Sequence, residues 1–537
     1  MRTTSRRAVL GAGLAVAGGG LLTACSQDST GPGDAKAPTA PPADYVSPDG
    51  KEVAAAEAKR GTGPVRDVRL TATRTRVDLG GGRSVDTWAY GDRLPGQEVR
   101  VTAGDTLALT LANHLPEPTS LHWHGLALRN DMDGVPGLTQ PAIKPGASHD
   151  YRFTLAHPGT YWFHPHSGVQ QDRGLYAPLI VEDPKEPLKY DKEWVVVLDD
   201  WVDGVDGSTP DAVLAELGRG MGGMSHGGGG GGMDHGGGHD MSGHDMSGHG
   251  MGAAPKPSGS SGPSRMLMGA TSSLLGGDAG DVAYPHYLVN GRTAADPGTF
   301  RARPGDRIRI RFVNAGGDTA FRVALGDHRM TVTHTDGFPV AHAETDALLL
   351  GMGERYDVLV EAKDGVFPLT ALAEGKKASA LALLRTADGT APDASVRPRE
   401  LDGRLLTADR LKADASVRLK DRRPDRTLTF ALTGSMEKYD WAINGRKYTP
   451  SQRYPVAAGE RVRMAFVNRT TMWHPMHLHG HTFGLPGGGA RKDTAVVLPG
   501  KRLEVDFDAD NPGLWMLHCH NVYHAESGMM TVLGYRR

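Results

Sequence analysis

Cysteine is almost absent, with 2 residues in 537. Two thiols cannot build a disulfide framework, so a hydrophobic core must hold the fold. An excess of one charge is missing as well: 60 Lys plus Arg face 62 Asp plus Glu, for a formal net charge of -2. That balance excludes a nucleic-acid binder driven by bulk charge. No apolar run of membrane-spanning length occurs beyond the N-terminus, and helical periodicity is scarce. Glycine (73) and proline (35) are plentiful. Together these features favour a turn-rich all-β architecture of packed strands.

Residues 1–24 read as an export signal. A basic start (Arg2, Arg6, Arg7) precedes a Gly- and Ala-rich apolar stretch, Ala8 to Leu22, too short to span a membrane as a stable helix. Ser5-Arg6-Arg7 resembles a twin-arginine signal, and Leu22-Thr23-Ala24-Cys25 resembles the box at which a lipoprotein is cut and its Cys lipidated. An ordinary secretory signal with a chance Cys is the alternative. The expectation is an extracytoplasmic protein held to a membrane by a lipid at Cys25. Residues 25–61, rich in Pro, Ala, Asp, Ser and Lys, read as a flexible tether. Cys519 is then the single thiol of the folded part.

One strand pattern recurs three times. Gly104-Asp105 runs through alternating apolar residues to Asn113, and the pattern returns from Gly305 to Asn314 and from Gly459 to Asn468. The last two copies follow the turn signals Asn290-Gly291 and Asn444-Gly445 at one shared offset. Three copies imply three homologous β domains, expected at 62–185, 186–400 and 401–537, with extra length in the middle one.

The first and third copies share histidines that the second lacks. His122-Trp123-His124-Gly125 matches His477-Leu478-His479-Gly480, and the segment ending His164-Pro165-His166 matches the one ending His518-Cys519-His520. In a strand, residues i and i+2 point to one face, so each His-x-His offers two imidazoles side by side. The same alternation sends Cys519 to the face opposite His518 and His520. His474 lies upstream of Cys519, His524 five residues after it and Met529 ten after. A thiolate with two His and a weak axial Met is the ligand set of a blue-copper electron-transfer site; Met530 competes with Met529, and the spacing favours Met529.

On these four signatures the chain resembles the three-domain multicopper oxidases, the family of laccases and bacterial copper-efflux (cuprous) oxidases, over roughly residues 62–537. The resemblance implies three cupredoxin-like Greek-key β-sandwich domains and four copper ions. His474, Cys519, His524 and Met529 would hold the type 1 copper, and His122 and His477 the type 2 copper. His124, His164, His166, His479, His518 and His520 would hold the type 3 pair. Reduction of dioxygen also needs protons, so a relay carboxylate is expected. Asp133 falls where the family places one, and it reads equally well as the Asp of an Asp-Gly turn. Glu526 is the second candidate. Many bacterial members carry an acid directly after the last type 1 His, where this chain has Ala525.

Residues 221–251 hold 14 Gly, 6 Met, 5 His and 3 Asp, too little apolar surface to form a core. Thioether suits Cu(I), while imidazole and carboxylate suit Cu(II). Within an insert spanning 221–265, accessory copper is therefore expected at Met221, Met224, His226, Met233, His235, His239, Met241, His244, Met246, His249 and Met251. The alternative is a low-complexity loop that binds stray metal. Met472 matches a substrate-copper Met of the copper-efflux oxidases, but Thr470 stands where an acid is expected. The function expected is the oxidation of Cu(I), phenolic donors or both, with dioxygen as acceptor, by a monomer that takes part in copper tolerance. The competing readings are a general laccase and a copper-sequestering surface protein without turnover.

Overall fold

The computed structural model describes residues 44–220 and 262–537. The export signal, Cys25 and the accessory-copper residues 221–251 lie outside them. The described chain is almost wholly β, as the composition implied, and its strands form three successive pairs of sheets. The first pair joins the sheet of Arg83–Tyr90, Val65–Gly80, Thr106–Asn113 and Ser148–Thr154 to one containing Gly159–His164 and His122–His124. The second is built around Lys192–Trp201, Arg307–Asn314 and Arg355–Glu361, backed by a sheet that includes Phe321–Leu325 and Ala347–Leu350. The third pairs the sheet of Arg426–Thr433, Arg461–Asn468 and Arg502–Asp508 with that of Met530–Tyr535, Leu514–Cys519, His474–Leu478 and Thr494–Val497.

The repeat read from the sequence has a physical basis at its closing asparagine. Asn113, Asn314 and Asn468 are buried, and the side-chain amide of each donates to two backbone carbonyls, one beyond the strand and one on a distant segment: Glu117 and Ile143, Thr319 and Leu350, Met472 and Val497. Each Oδ1 accepts a backbone N–H two residues on. One amide thus clamps the loop that leaves the strand, the satisfaction a buried backbone requires. In the third copy that loop is Thr470–Met472, ending two residues before His474. Asn290 and Asn444, at φ 49 and 54, make the expected tight turns.

Two expectations need correction. The tether ends earlier than residue 61, because Lys51–Lys59 is a helix and Val46 and Val53 are buried. Val46 N–H donates to the Tyr535 carbonyl (2.8 Å), and Thr154 N–H to Glu57 Oε1 (2.7 Å), which stitches this segment to the body. The prolines stop at Pro48, and the Ala-, Lys- and Glu-rich run after it has high helix propensity. The second pair of sheets also reaches past residue 400, since Leu405–Leu406 runs parallel to Ala347–Leu348.

Candidate metal centres

The eight paired histidines converge. Strand His122–His124 pairs with Gly159–His164, aligning His122 with His164, and His477 pairs with His518 on the neighbouring strand of the third repeat. The donor atoms of His124, His164 and His520 lie within 4.8 Å of one another, as do those of His166, His479 and His518, and those of His122, His124 and His477. His124 and His477 stack with ring centroids 3.8 Å apart, and His122 and His479 at 3.7 Å. Trp162 covers the cluster, 4.4 Å from His164 and 5.4 Å from His520.

Six of the eight rings have one nitrogen tied to a protein oxygen. The Nδ1 groups of His122, His164, His477 and His518 donate to the carbonyls of Asp133, Pro165, Asp493 and Cys519 at 2.8, 2.9, 3.0 and 2.8 Å. His479 Nδ1 donates to Asp133 Oδ2 (2.9 Å). His124 is turned the other way, its Nε2 donating to Asp493 Oδ1 (3.1 Å), so that Nδ1 faces inward. The remaining nitrogens of His122, His164 and His477 are buried without any partner. His479 Nε2 and His518 Nε2 approach to 3.1 Å, and His520 Nε2 and His124 Nδ1 to 3.2 Å. Such spacings suit imidazoles arranged about 2 Å from a shared ion. Burial first, then the neighbouring rings, pushes the pKa of His124, His164, His166, His479, His518 and His520 well below the ordinary value. Neutral rings with one nitrogen fixed and one orphaned are what a copper cluster requires.

The second centre sits one residue away on the opposite face of Leu514–Cys519. Cys519 Sγ lies 3.6 Å from His474 Nδ1 and 3.7 Å from His524 Nδ1. Met529 is fully buried, and its backbone bonds to Cys519 and His524 (3.0 Å each). Both imidazoles are anchored through Nε2: His474 contacts Thr470 Oγ1 (2.8 Å), and His524 donates to Asp281 Oδ2 (2.9 Å). Met472, also buried, flanks Thr470. Burial would lower His524, yet the Asp281 carboxylate raises it to about 10. Trp441 packs on His524 at 4.4 Å, and Tyr439 donates to Asp281 (2.9 Å).

Sequence reasoning missed four contributors. Asp493 serves His124 with its side chain and His477 with its carbonyl. Arg355, from the second repeat, grips Asp493 with two N–H donors at 2.7 and 2.6 Å. Burial alone would raise Asp493; Arg355 overrides it and holds the carboxyl well below the usual range. Gly353 closes on the cluster at φ +82, where a Cβ would come within 2.9 Å of His124 and His520. Asp281 is the fourth, and no spacing motif marks any of them. Of the two relay candidates, Asp133 is brought to the cluster, buried between His122 and His479. Glu526 is not: it is partly buried on helix Val522–Ser527, raised to about 7 by desolvation and by Asp211.

Asp281→Asn is expected to raise the midpoint potential of a copper bound by His474, Cys519 and His524, because a neutral amide favours the more positive ion less. Redox titration of the visible band tests this, and an unchanged potential would remove Asp281 from the centre's electrostatics.

A β protein carrying a buried thiol between two imidazoles, beside a cage of eight more, defines a copper protein built for electron transfer. Three segments, 71–186, 269–388 and 421–536, match multicopper oxidase domains, and the chain belongs to the multicopper oxidase family. It is 46% identical over 544 residues to multicopper oxidase MmcO of Mycobacterium tuberculosis, covering 99% of this chain and 97% of that one. It is 28% identical to a copper resistance protein A homolog of Pseudomonas syringae pv. tomato, over 86% of this chain and 90% of the relative. Among solved structures, the iron-import oxidase Fet3p superposes with a TM-score of 0.68 at 21% identity, covering 88% of this chain and 90% of its own. These neighbours share the cupredoxin fold expected above.

Proposed function

We propose that the protein is an oxidase that takes electrons one at a time from Cu(I), phenols or both at a type 1 centre of His474, Cys519, His524 and Met529. A trinuclear cluster would be held by His122 and His477 (type 2) with His124, His164, His166, His479, His518 and His520 (type 3), making four coppers in all. When bound, these ions supply one-electron acceptance from the donor and four-electron reduction of dioxygen to two waters. The observation that carries this reading is the wiring of one strand: Cys519 is bonded through the backbone to His518 and His520, and its carbonyl accepts from His518 Nδ1. Storage of copper needs no thiol joined to a second cage. Its three domains would be the three repeats, and the strength of the copper-protein relatives favours a role in copper tolerance.

Asp133 would position His122 and His479 and move protons to the cluster, through a carboxylate oxygen, Oδ1, that has no hydrogen-bond partner. Asp133→Asn keeps an acceptor for His479 but loses the carboxylate, so oxygen reduction should slow by roughly 10²-fold. Stopped-flow reoxidation checks this, and an unchanged rate would leave Asp133 a turn residue. Twin-arginine export and a lipid at Cys25 complete the proposal and would place a monomer outside the cytoplasm on a membrane.

Oxygen uptake by the copper-loaded mature protein, with Cu(I) and a methoxyphenol supplied in parallel, tests the whole. No uptake with either donor would leave copper sequestration. Negligible Cu(I) turnover beside strong phenol oxidation would make it a laccase. The insert, with Met472, is proposed to collect Cu(I) for the type 1 centre. Deletion of residues 221–251 should then cut Cu(I) oxidation while sparing the phenol.

A further inference from the structure

The type 1 candidates are sealed: His474, Cys519, His524 and Met529 are all at 0% exposure. A donor in water cannot touch them, so its electron must cross protein. On the His474 side that protein is thin. His474 pairs across the sheet with Val497, which sets their Cα atoms about 5 Å apart, and Val497 lines a cleft of about 550 Å³ between the second and third repeats. The walls are apolar: Leu275 and Leu349 on one side, Leu485, Val496 and Leu498 on the other. Behind them lies Trp473, packed with Leu275, Ala320 and Met352 and covered by Leu349, Val496 and Leu498. Trp473 is joined to His474 by a peptide bond.

The mouth carries Arg410, Lys501 and Arg502 against one carboxylate, Asp409. Arg502 is paired with Glu504 (2.8 Å), while Arg410 and Lys501 make no ion pair among the described residues. Glu354, on the wall, is paired with Lys492 at 3.0 Å, a cation it shares with Asp336 (3.1 Å). An apolar slot of this size with a cationic mouth suits a one-ring aromatic anion, its ring on the leucines and its charge at the rim.

We propose that this cleft binds small phenols bearing a carboxylate and passes their electrons inward through Trp473 and His474. The use of the site rests on the oxidase reading; the binding does not. Each phenol gives up one electron and its hydroxyl proton and leaves as a phenoxyl radical. The proton goes to water at the open mouth, and four such electrons, with four protons, convert one dioxygen to two waters.

The test is calorimetric titration of the copper-loaded full chain with 3,4,5-trimethoxybenzoate, which keeps the ring and carboxylate but has no hydroxyl to oxidise. One saturable site is expected. Arg410→Ser with Lys501→Ser should weaken it about tenfold, the sum of two exposed charge contacts. Ala408→Trp, which adds bulk on the loop at the rim, should abolish it. No binding to the unsubstituted chain, or binding that survives Ala408→Trp, would overturn the proposal. Equal binding of neutral 1,2,3-trimethoxybenzene, indifferent to the double substitution, would overturn the anionic ligand. Self-association relieved by Ala408→Trp, without probe binding, would give the cleft to a second copy. Oxygen uptake with Cu(I) on the same preparations separates the failures: its loss sinks the oxidase and leaves the titration standing.

Discussion

Arg355→Met should lower the unfolding midpoint sharply and strip metal from the histidine cage. Arg355 and Asp493 are both at 0% exposure and joined by two short bonds, and Arg355 also lies 3.5 Å from Asp336. Removing the cation leaves Asp493 charged in a medium that cannot solvate it, a change that costs about 3–5 kcal/mol for a buried pair. The damage reaches the metal, because Asp493 sets the orientation of His124 and its backbone that of His477. Denaturant unfolding and copper analysis of the same sample measure both effects. Asp493→Asn placed on top of Arg355→Met should recover part of the stability, since no bare charge then remains, yet not the metal. An unfolding midpoint equal to that of the unsubstituted chain would show that the pair carries no stability.

Cys519→Ser should end turnover with every donor while leaving the cage able to take metal. The thiol lies 3.6 and 3.7 Å from His474 and His524, and a hydroxyl of similar size is a far poorer ligand for copper. The cage histidines keep their carbonyl partners, because His518 Nδ1 bonds to the backbone of residue 519 and not to its side chain. On the proposed count of four, copper content should fall by one ion, with loss of the intense visible band. A substituted protein that still oxidised Cu(I) or a methoxyphenol would show that electrons reach the cage by another route.

The parts of the molecule that were legible in the chain are those with a local period. His-x-His pairs, Cys519 with His524 and Met529, and the Gly-to-Asn strand are patterns of two to ten residues, and strand geometry alone gives them meaning. The partners that hold those ligands were not legible. Asp281 and Arg355 come from the repeat that lacks ligand histidines, and they reach His524 and Asp493 across 243 and 138 residues of sequence. Nothing local marks a carboxylate that will meet an imidazole at such a distance. The helix Lys51–Lys59 was missed for a different reason, an average over a segment whose first half is rich in proline and whose second half is not.

His520 and His124 stand 3.2 Å apart in space and 396 residues apart in the chain. The cage therefore belongs to neither end of the polypeptide, and a chain stopped short of residue 477 has half a cage and lacks Cys519. Copper offered to a growing or clipped chain finds isolated pairs of imidazoles with no partners. The completed site thus doubles as a check that synthesis has run to its end, and retention of tightly held metal through dialysis would sort finished molecules from unfinished ones.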